Sequence, residues 1–301
     1  MFQLEGIYAP IPVPFLDDTG EIDEAALETN MEFWNQSSLS GIVVMGSNGE
    51  FVLLDMEEKR KLINLTVKYA NNGKHVIAGT GCESTRDTIR MCKVAGEAGC
   101  DAALVLSPNY YKKAMQTERV IMNFYEEVAD ASPIPVIIYN MPGNSGINIP
   151  AAVTAKLSAH PNIMGIKDSG GNIVQIMETI KNAADDFSVF AGSASFLYPT
   201  IMAGGKGGTL ALANIMPEEC VKLYHLAKNG ETERAAKVQM ALLEPNAAVT
   251  SKWGIPGLKA AMELIGKIGG RPRHPFLPLG EKETNELKMI LAKAKEQCAT
   301  L

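Results

Sequence analysis

Apolar runs that end in turn residues recur along the chain, with amphipathic stretches between them. The runs are GIYAPIPVPF (6–15), GIVVMGS (41–47), HVIAGTG (75–81) and AALVLSP (102–108). PVIIYNM (135–141), IMGIKDS (163–169), FSVFAGS (187–193) and GGTLALAN (207–214) follow. Most are continuously apolar rather than alternating, the pattern of parallel strands buried on both faces. The stretches between them predict helices. One spans Ile22–Trp34, and another spans Met56–Tyr69, with Asp55 as N-cap and Glu58 three residues on. A third, Thr85–Ala98, ends at Gly99, and a fourth, Thr117–Ala131, ends before Pro133 and Pro135. Eight strands alternating with helices predict a (β/α)8 barrel, with an open doubly wound sheet as the alternative. After Asn214 the strand pattern stops. Helical patterns then cover Glu218–Ala227, Glu231–Leu243, Ile255–Ile265 and Glu281–Ala299. The expected division is a barrel over 1–216 that carries the active site, and a C-terminal helical region over 217–301 packed on it.

Composition narrows the setting. The chain has 301 residues, 46% hydrophobic and 21% charged, as in an ordinary globular protein with a large core. A net charge of −6 without a basic stripe argues against a nucleic-acid partner. No apolar run approaches the roughly 18–20 residues that span a bilayer, so no membrane association is expected. The first residues, MFQLEGIYAPIPVPF, lack the basic start of a signal peptide. Cys82, Cys92, Cys100, Cys220 and Cys298 include no C-x-x-C pair, which fits free thiols in a cytoplasmic setting.

A barrel places its chemistry at the C-terminal ends of its strands. That rule selects Ser47-Asn48-Gly49-Glu50, Tyr139-Asn140, Lys167-Asp168-Ser169 and Gly192-Ser193. Lys167 ends a buried strand, where an ammonium group needs a reason. It could pair with Asp168 or a loop acid, bind phosphate, or act as a nucleophile, using desolvation to free its lone pair for attack on a ketone. Tyr139 could be a core tyrosine with a satisfied hydroxyl. Alternatively, a tyrosine and a lysine at adjacent strand ends suit Schiff-base chemistry with proton relay. The serine, the asparagine and the free backbone N–H groups of GSNGEF (46–51) would suit a substrate carboxylate, or form an ordinary turn. His75, His160, His225 and His274 are scattered without ligand spacing, so no metal is expected. AGGKGG (203–208) lacks the G-K-[ST] ending of a phosphate loop, and GTG (79–81) lacks the third glycine of a dinucleotide fingerprint. No cofactor is expected.

Taken in order and spacing, GSNGEF, YNMPGNSG (139–146), GIKDSGG (165–171) and GGTLALAN resemble the dihydrodipicolinate synthase/N-acetylneuraminate lyase family of pyruvate-handling class I aldolases. The resemblance runs over essentially the whole chain. GSNGEF, KDSGG, AGSASF (191–196) and EPNAAVTSKWGIPGLK (244–259) look most like the 4-hydroxy-2-oxoglutarate aldolases within it. It implies that Lys167 forms the Schiff base and Tyr139 moves protons. Ser47 and Asn48 stand where the family's G-T-T-G-E threonines bind carboxylate and relay protons. Ser169, Gly192 and Thr209 complete the implied contacts to substrate, with Asn144. A tyrosine reaching across a subunit interface would be Tyr110 or, preferably, Tyr111 in SPNYYKK (107–113), within a homotetramer built as a dimer of dimers.

One departure separates the chemistries. Synthases of the family usually carry Y-N-V-P-x-R-T-G, with the arginine on the carboxylate of aspartate semialdehyde; here Asn144 takes that position. Losing a bidentate guanidinium removes a contact worth about 1.5–3 kcal/mol. The expected activity is therefore cleavage of 4-hydroxy-2-oxoglutarate, or a similar 2-oxo acid, to pyruvate and an aldehyde such as glyoxylate. Dihydrodipicolinate synthase activity is the alternative. A catalytically silent barrel acting as a 2-oxo acid sensor or an assembly scaffold is a third, which the presence of both Lys167 and Tyr139 argues against.

Overall fold

The computed structural model describes residues 2–300. Eight strands close into a barrel in sequence order. They are β1 (Gly6–Pro10), β2 (Gly41–Val44), β3 (His75–Gly79) and β4 (Ala102–Leu106), then β5 (Val136–Asn140), β6 (Ile163–Asp168), β7 (Ser188–Ala191) and β8 (Gly207–Thr209). Every neighbouring pair is parallel, and β8 returns to β1. Helices between the strands make this a (β/α)8 barrel, as the run pattern predicts.

Some predicted strands are longer than the observed ones. The first run stops at Pro10 because Pro12 and Pro14 bring no N–H to a ladder. The last stops at Thr209. Beyond it, Asn214 Nδ2 donates to the carbonyls of Pro10 and Ala211, which draws Ala211–Asn214 into a 3₁₀ turn.

Helix boundaries follow their caps. Met56–Tyr69 forms as predicted, with Asp55 accepting from the N–H groups of Glu57 and Glu58 while Glu58 closes the capping box. Thr85–Ala98 also forms as predicted and ends at Gly99, whose φ of 94° suits glycine. The first helix begins at Glu24 rather than Ile22, because Asp23 caps it through Ala26 N, and Ile22 instead bridges to Phe15. The helix predicted to end at Leu243 continues to Ala247 through the buried Pro245, and a π-helical turn follows over Ala248–Lys252.

The barrel interior is filled by Tyr8, Val43, Ile77, Leu104, Ile137 and Phe190, with Leu4 closing it. Outside the strands, one continuous core joins barrel residues such as Ile42 and Val44 to Leu223, Leu258 and Leu287 of the C-terminal helices. Helix Pro217–Lys228 packs on β1 and on the helix Leu197–Met202.

Candidate active site

The interior plug decides where polar groups can stand. Lys167, the penultimate residue of β6, shares its surroundings with Val43, Ile77, Leu104, Ile137 and Phe190, and with Thr209 at the end of β8. Tyr139 lies beside Lys167 in register on β5. Both are 4% exposed. Lys167 Nζ stands 4.1 Å from the centre of the Tyr139 ring, and Tyr139 Oη lies 3.1 Å from Ser47 Oγ. β2 thus contributes its following turn to the β5–β6 pair, and three residues far apart in sequence meet at one mouth.

Burial pushes the Tyr139 phenol up. The positive charge of Lys167 and hydrogen bonding from Ser47, Lys167 and Ser169 outweigh it and hold the group below its ordinary value. Among the described residues, no carboxylate forms an ion pair with Lys167. Asp168, its neighbour, is occupied elsewhere: Oδ1 accepts from Gly170 N, and Oδ2 accepts from Asn140 Nδ2 and Gln175 Nε2. Asn140 also donates to Asn148 and accepts from Ile149 N. This network locks the ends of β5 and β6 behind the amine.

The remaining residues selected from the sequence divide into two groups. Ser169 sits at the mouth, with its N–H on Asn140 O. Its hydroxyl packs so closely on Gly192 that a Cβ there would fall 1.9 Å from it. Gly192 N in turn donates to Asp168 O at 2.7 Å. Asn48 lies in the 3₁₀ turn Ser47–Gly49, and its buried Nδ2 meets no protein acceptor among the described residues. A buried donor of this kind is a natural ligand contact. Asn144 and Tyr111 are the other group, both on the surface of the single chain. Asn144 is exposed on the short helix Pro142–Ser145, and Tyr111 is 75% exposed with its ring edge-on to Tyr110. Lys112, next to Tyr111, brings a cation to the Asn144 segment: a Cβ on Gly146 would stand 2.9 Å from its Nζ.

The sequence reading missed Gln175 and Lys259. Gln175 supports Asp168 from the helix Ile173–Asn182. Lys259 forms an ion pair with Glu50, the residue that ends the Ser47 turn, with both side chains buried. No local pattern marks either residue.

An amine buried against a phenol that is itself linked to two hydroxyls can form an imine and shuttle protons around it. The dihydrodipicolinate synthetase family model matches residues 3–294, nearly the whole chain. The chain belongs to that family. Its members act as aldolase- and lyase-type enzymes, and this chain is one of them.

A protein of Emericella nidulans named probable 4-hydroxy-2-oxoglutarate aldolase, mitochondrial, is 38% identical over 297 residues, covering 97% of this chain and 95% of that one. A 4-hydroxy-tetrahydrodipicolinate synthase of Thermodesulfovibrio yellowstonii is 36% identical, covering 96% and 98%. Among solved structures, the 4-hydroxy-tetrahydrodipicolinate synthase of Methylacidiphilum fumariolicum superposes with a TM-score of 0.93 at 27% identity, covering 99% and 98%. The fold and family are therefore common to relatives whose names divide between aldolase and synthase. No helix among the described residues is long and apolar enough to cross a membrane.

Proposed function

We propose that the protein is a Schiff-base aldolase that cleaves 4-hydroxy-2-oxoglutarate, or a close 2-oxo acid, to pyruvate and an aldehyde such as glyoxylate. The observation that carries this reading is the trio at the barrel mouth. Lys167 Nζ lies 4.1 Å from the Tyr139 ring centre, and the Tyr139 hydroxyl lies 3.1 Å from Ser47. The Lys167 amine attacks the C2 ketone, and loss of water leaves a protonated imine. Tyr139, assisted by Ser47, takes the proton of the C4 hydroxyl as the C3–C4 bond breaks. The bonding pair moves into the imine and gives an enamine, and the aldehyde leaves. Protonation at C3 and hydrolysis of the imine then free pyruvate and the amine. Asn48, Ser169, Gly192 and Thr209 line the part of the mouth that takes the pyruvyl carboxylate and carbonyl.

The second substrate is the point of division. Asn144 replaces the guanidinium that synthases use, which disfavours aspartate semialdehyde. Lys112 beside Gly146 keeps a cation available for the second carboxylate of a dicarboxylic substrate. Synthase activity is the second reading, favoured by the names of the Thermodesulfovibrio relative and the Methylacidiphilum structure. Five free cysteines suit a reducing compartment and support a cytoplasmic address, with the mitochondrial label of the Emericella protein marking the competing one.

The test is to trap the protein with pyruvate and borohydride, locate the adduct, and then assay both second substrates. A stable adduct on Lys167 and release of pyruvate from the hydroxy-oxo acid are expected. An adduct on another lysine would overturn the site. Condensation with aspartate semialdehyde, without cleavage of the hydroxy-oxo acid, would establish the synthase.

A further inference from the structure

The Ser47 turn is strained at both ends. Met45 and Glu50 adopt left-handed φ values of 56° and 53°, and neither is a glycine. Something must hold such a turn. Within it, Gly49 N donates to Gly46 O and Glu50 N donates to Ser47 O, so a fixed Glu50 fixes Ser47.

Glu50 is fixed from a distant part of the chain. Its Oε1 lies 2.6 Å from Lys259 Nζ, with the two side chains 0% and 1% exposed, and its Oε2 accepts from Arg273 N at 2.8 Å. Lys259 comes from the helix Gly254–Leu264, donates to Arg271 O and lies over the Phe15 ring. The other ion pairs found among the described residues leave both partners partly exposed. Burying two charges is costly, and an apolar pair of similar volume often serves stability as well or better. What the charged pair adds is a fixed distance, while the bonds from Arg273 N to Glu50 Oε2 and from Lys259 Nζ to Arg271 O fix its direction.

We propose that the buried Glu50–Lys259 pair is a positioning device that holds the Ser47 hydroxyl on Tyr139. It rests on the roles given above to Ser47 and Tyr139. Neither Glu50 nor Lys259 needs to touch substrate. Their effect passes through the turn.

The experiment uses Glu50→Gln and Lys259→Met, singly and together, with the double change also made in a Ser47→Ala background. Each single change strands a buried charge, so its loss of activity can follow from unfolding alone. The double change removes both charges. Urea unfolding of each variant records the fold, and trapping with pyruvate and borohydride records the imine. The activity readout is exchange of pyruvate methyl protons in deuterated water, which needs the imine and the proton relay but no second substrate.

The double variant is expected to unfold cooperatively and form the adduct. Its maximal exchange rate should fall about tenfold, within the loss that a small misplacement can cause. Its half-saturating pyruvate concentration should rise as well, because Asn48 of the same turn is assigned to the pyruvyl carboxylate, so the maximal rate and the Ser47→Ala comparison carry the test. In the Ser47→Ala background the same double change should cost less than about twofold, since the hydroxyl it positions is already gone. Equal losses in both backgrounds, or full exchange in the double variant, would overturn the proposal. A double variant without cooperative unfolding would make the pair a requirement of the fold and overturn it too. Absence of any adduct in the unsubstituted protein would strike the proposed function itself.

Discussion

Tyr139 carries two opposed influences, and their balance sets a measurable pH dependence. Burial raises its phenol, while the Lys167 charge and the Ser47 and Ser169 hydrogen bonds lower it further. The group ionises below its ordinary range, so the rising alkaline limb of kcat/KM should have its midpoint below pH 10. The Ser47 hydroxyl stabilises the phenolate, so Ser47→Ala should move that limb upward; an unmoved limb would remove Ser47 from the relay. Tyr139→Phe should still form the imine but turn over roughly 10²–10⁴-fold more slowly. A rate within a few-fold of the unsubstituted protein would make Tyr139 a core residue only. Specificity is tested at Asn144, where an amide can donate a hydrogen bond but brings no charge. Asn144→Arg should raise kcat/KM for aspartate semialdehyde relative to 4-hydroxy-2-oxoglutarate, measured on both proteins under the same conditions. A ratio that stays fixed would show that the exposed side chain does not reach the substrate. That Lys167, Tyr139 and Ser47 come together was legible in the sequence, because all three stand at the ends of apolar runs, where a barrel opens. Lys259 was not. Its position has meaning only once the C-terminal helix is folded against the Ser47 turn, and pairing across such a distance leaves no local signal.

Elements with a complete local code were read correctly, and those shaped by tertiary contacts were not. Met56–Tyr69 shows the first case: Asp55 and Glu58 close a capping box around its first turn. Asp55→Ala should cost about 1 kcal/mol of unfolding free energy, read as a lower urea midpoint with an unchanged slope. No change in midpoint would mean that Arg273, which grips Glu58 through both guanidinium nitrogens, fixes the helix start without the cap. The helix Thr232–Ala247 shows the second case. The helical pattern predicts an end at Leu243, yet Pro245 is buried and the helix runs through it into a π-helical turn. That turn precedes the helix bearing Lys259. The short 3₁₀ segment after β8 likewise depends on Asn214 reaching back to β1, a contact invisible before the barrel closes.

At the scale of the whole molecule, the loop after β4 is where the proposed oligomer can be tested. Tyr110 and Tyr111 are 78% and 75% exposed, their rings packed edge-on at 5.1 Å. The loop beneath them is held firmly: Glu83 accepts from the N–H groups of Asn109 and Tyr110. Two large rings fixed on the surface beside the barrel mouth expose apolar area that a second copy could cover. We therefore propose a homotetramer, or at least a dimer, in which Tyr111 enters the neighbouring site. Light scattering of active protein should give a mass of at least two chains at assay concentration. Tyr111→Phe keeps the ring and removes the hydroxyl, so it should leave that mass unchanged while slowing turnover at least about tenfold, at the low end of what a lost proton-transfer group costs. Tyr110→Phe should leave both unchanged, because only one of the adjacent rings can point into a given pocket. Slowed turnover in Tyr110→Phe alone would exchange the two roles. A fully active monomer would remove the trans contact altogether and confine the relay to Tyr139 and Ser47 of a single barrel.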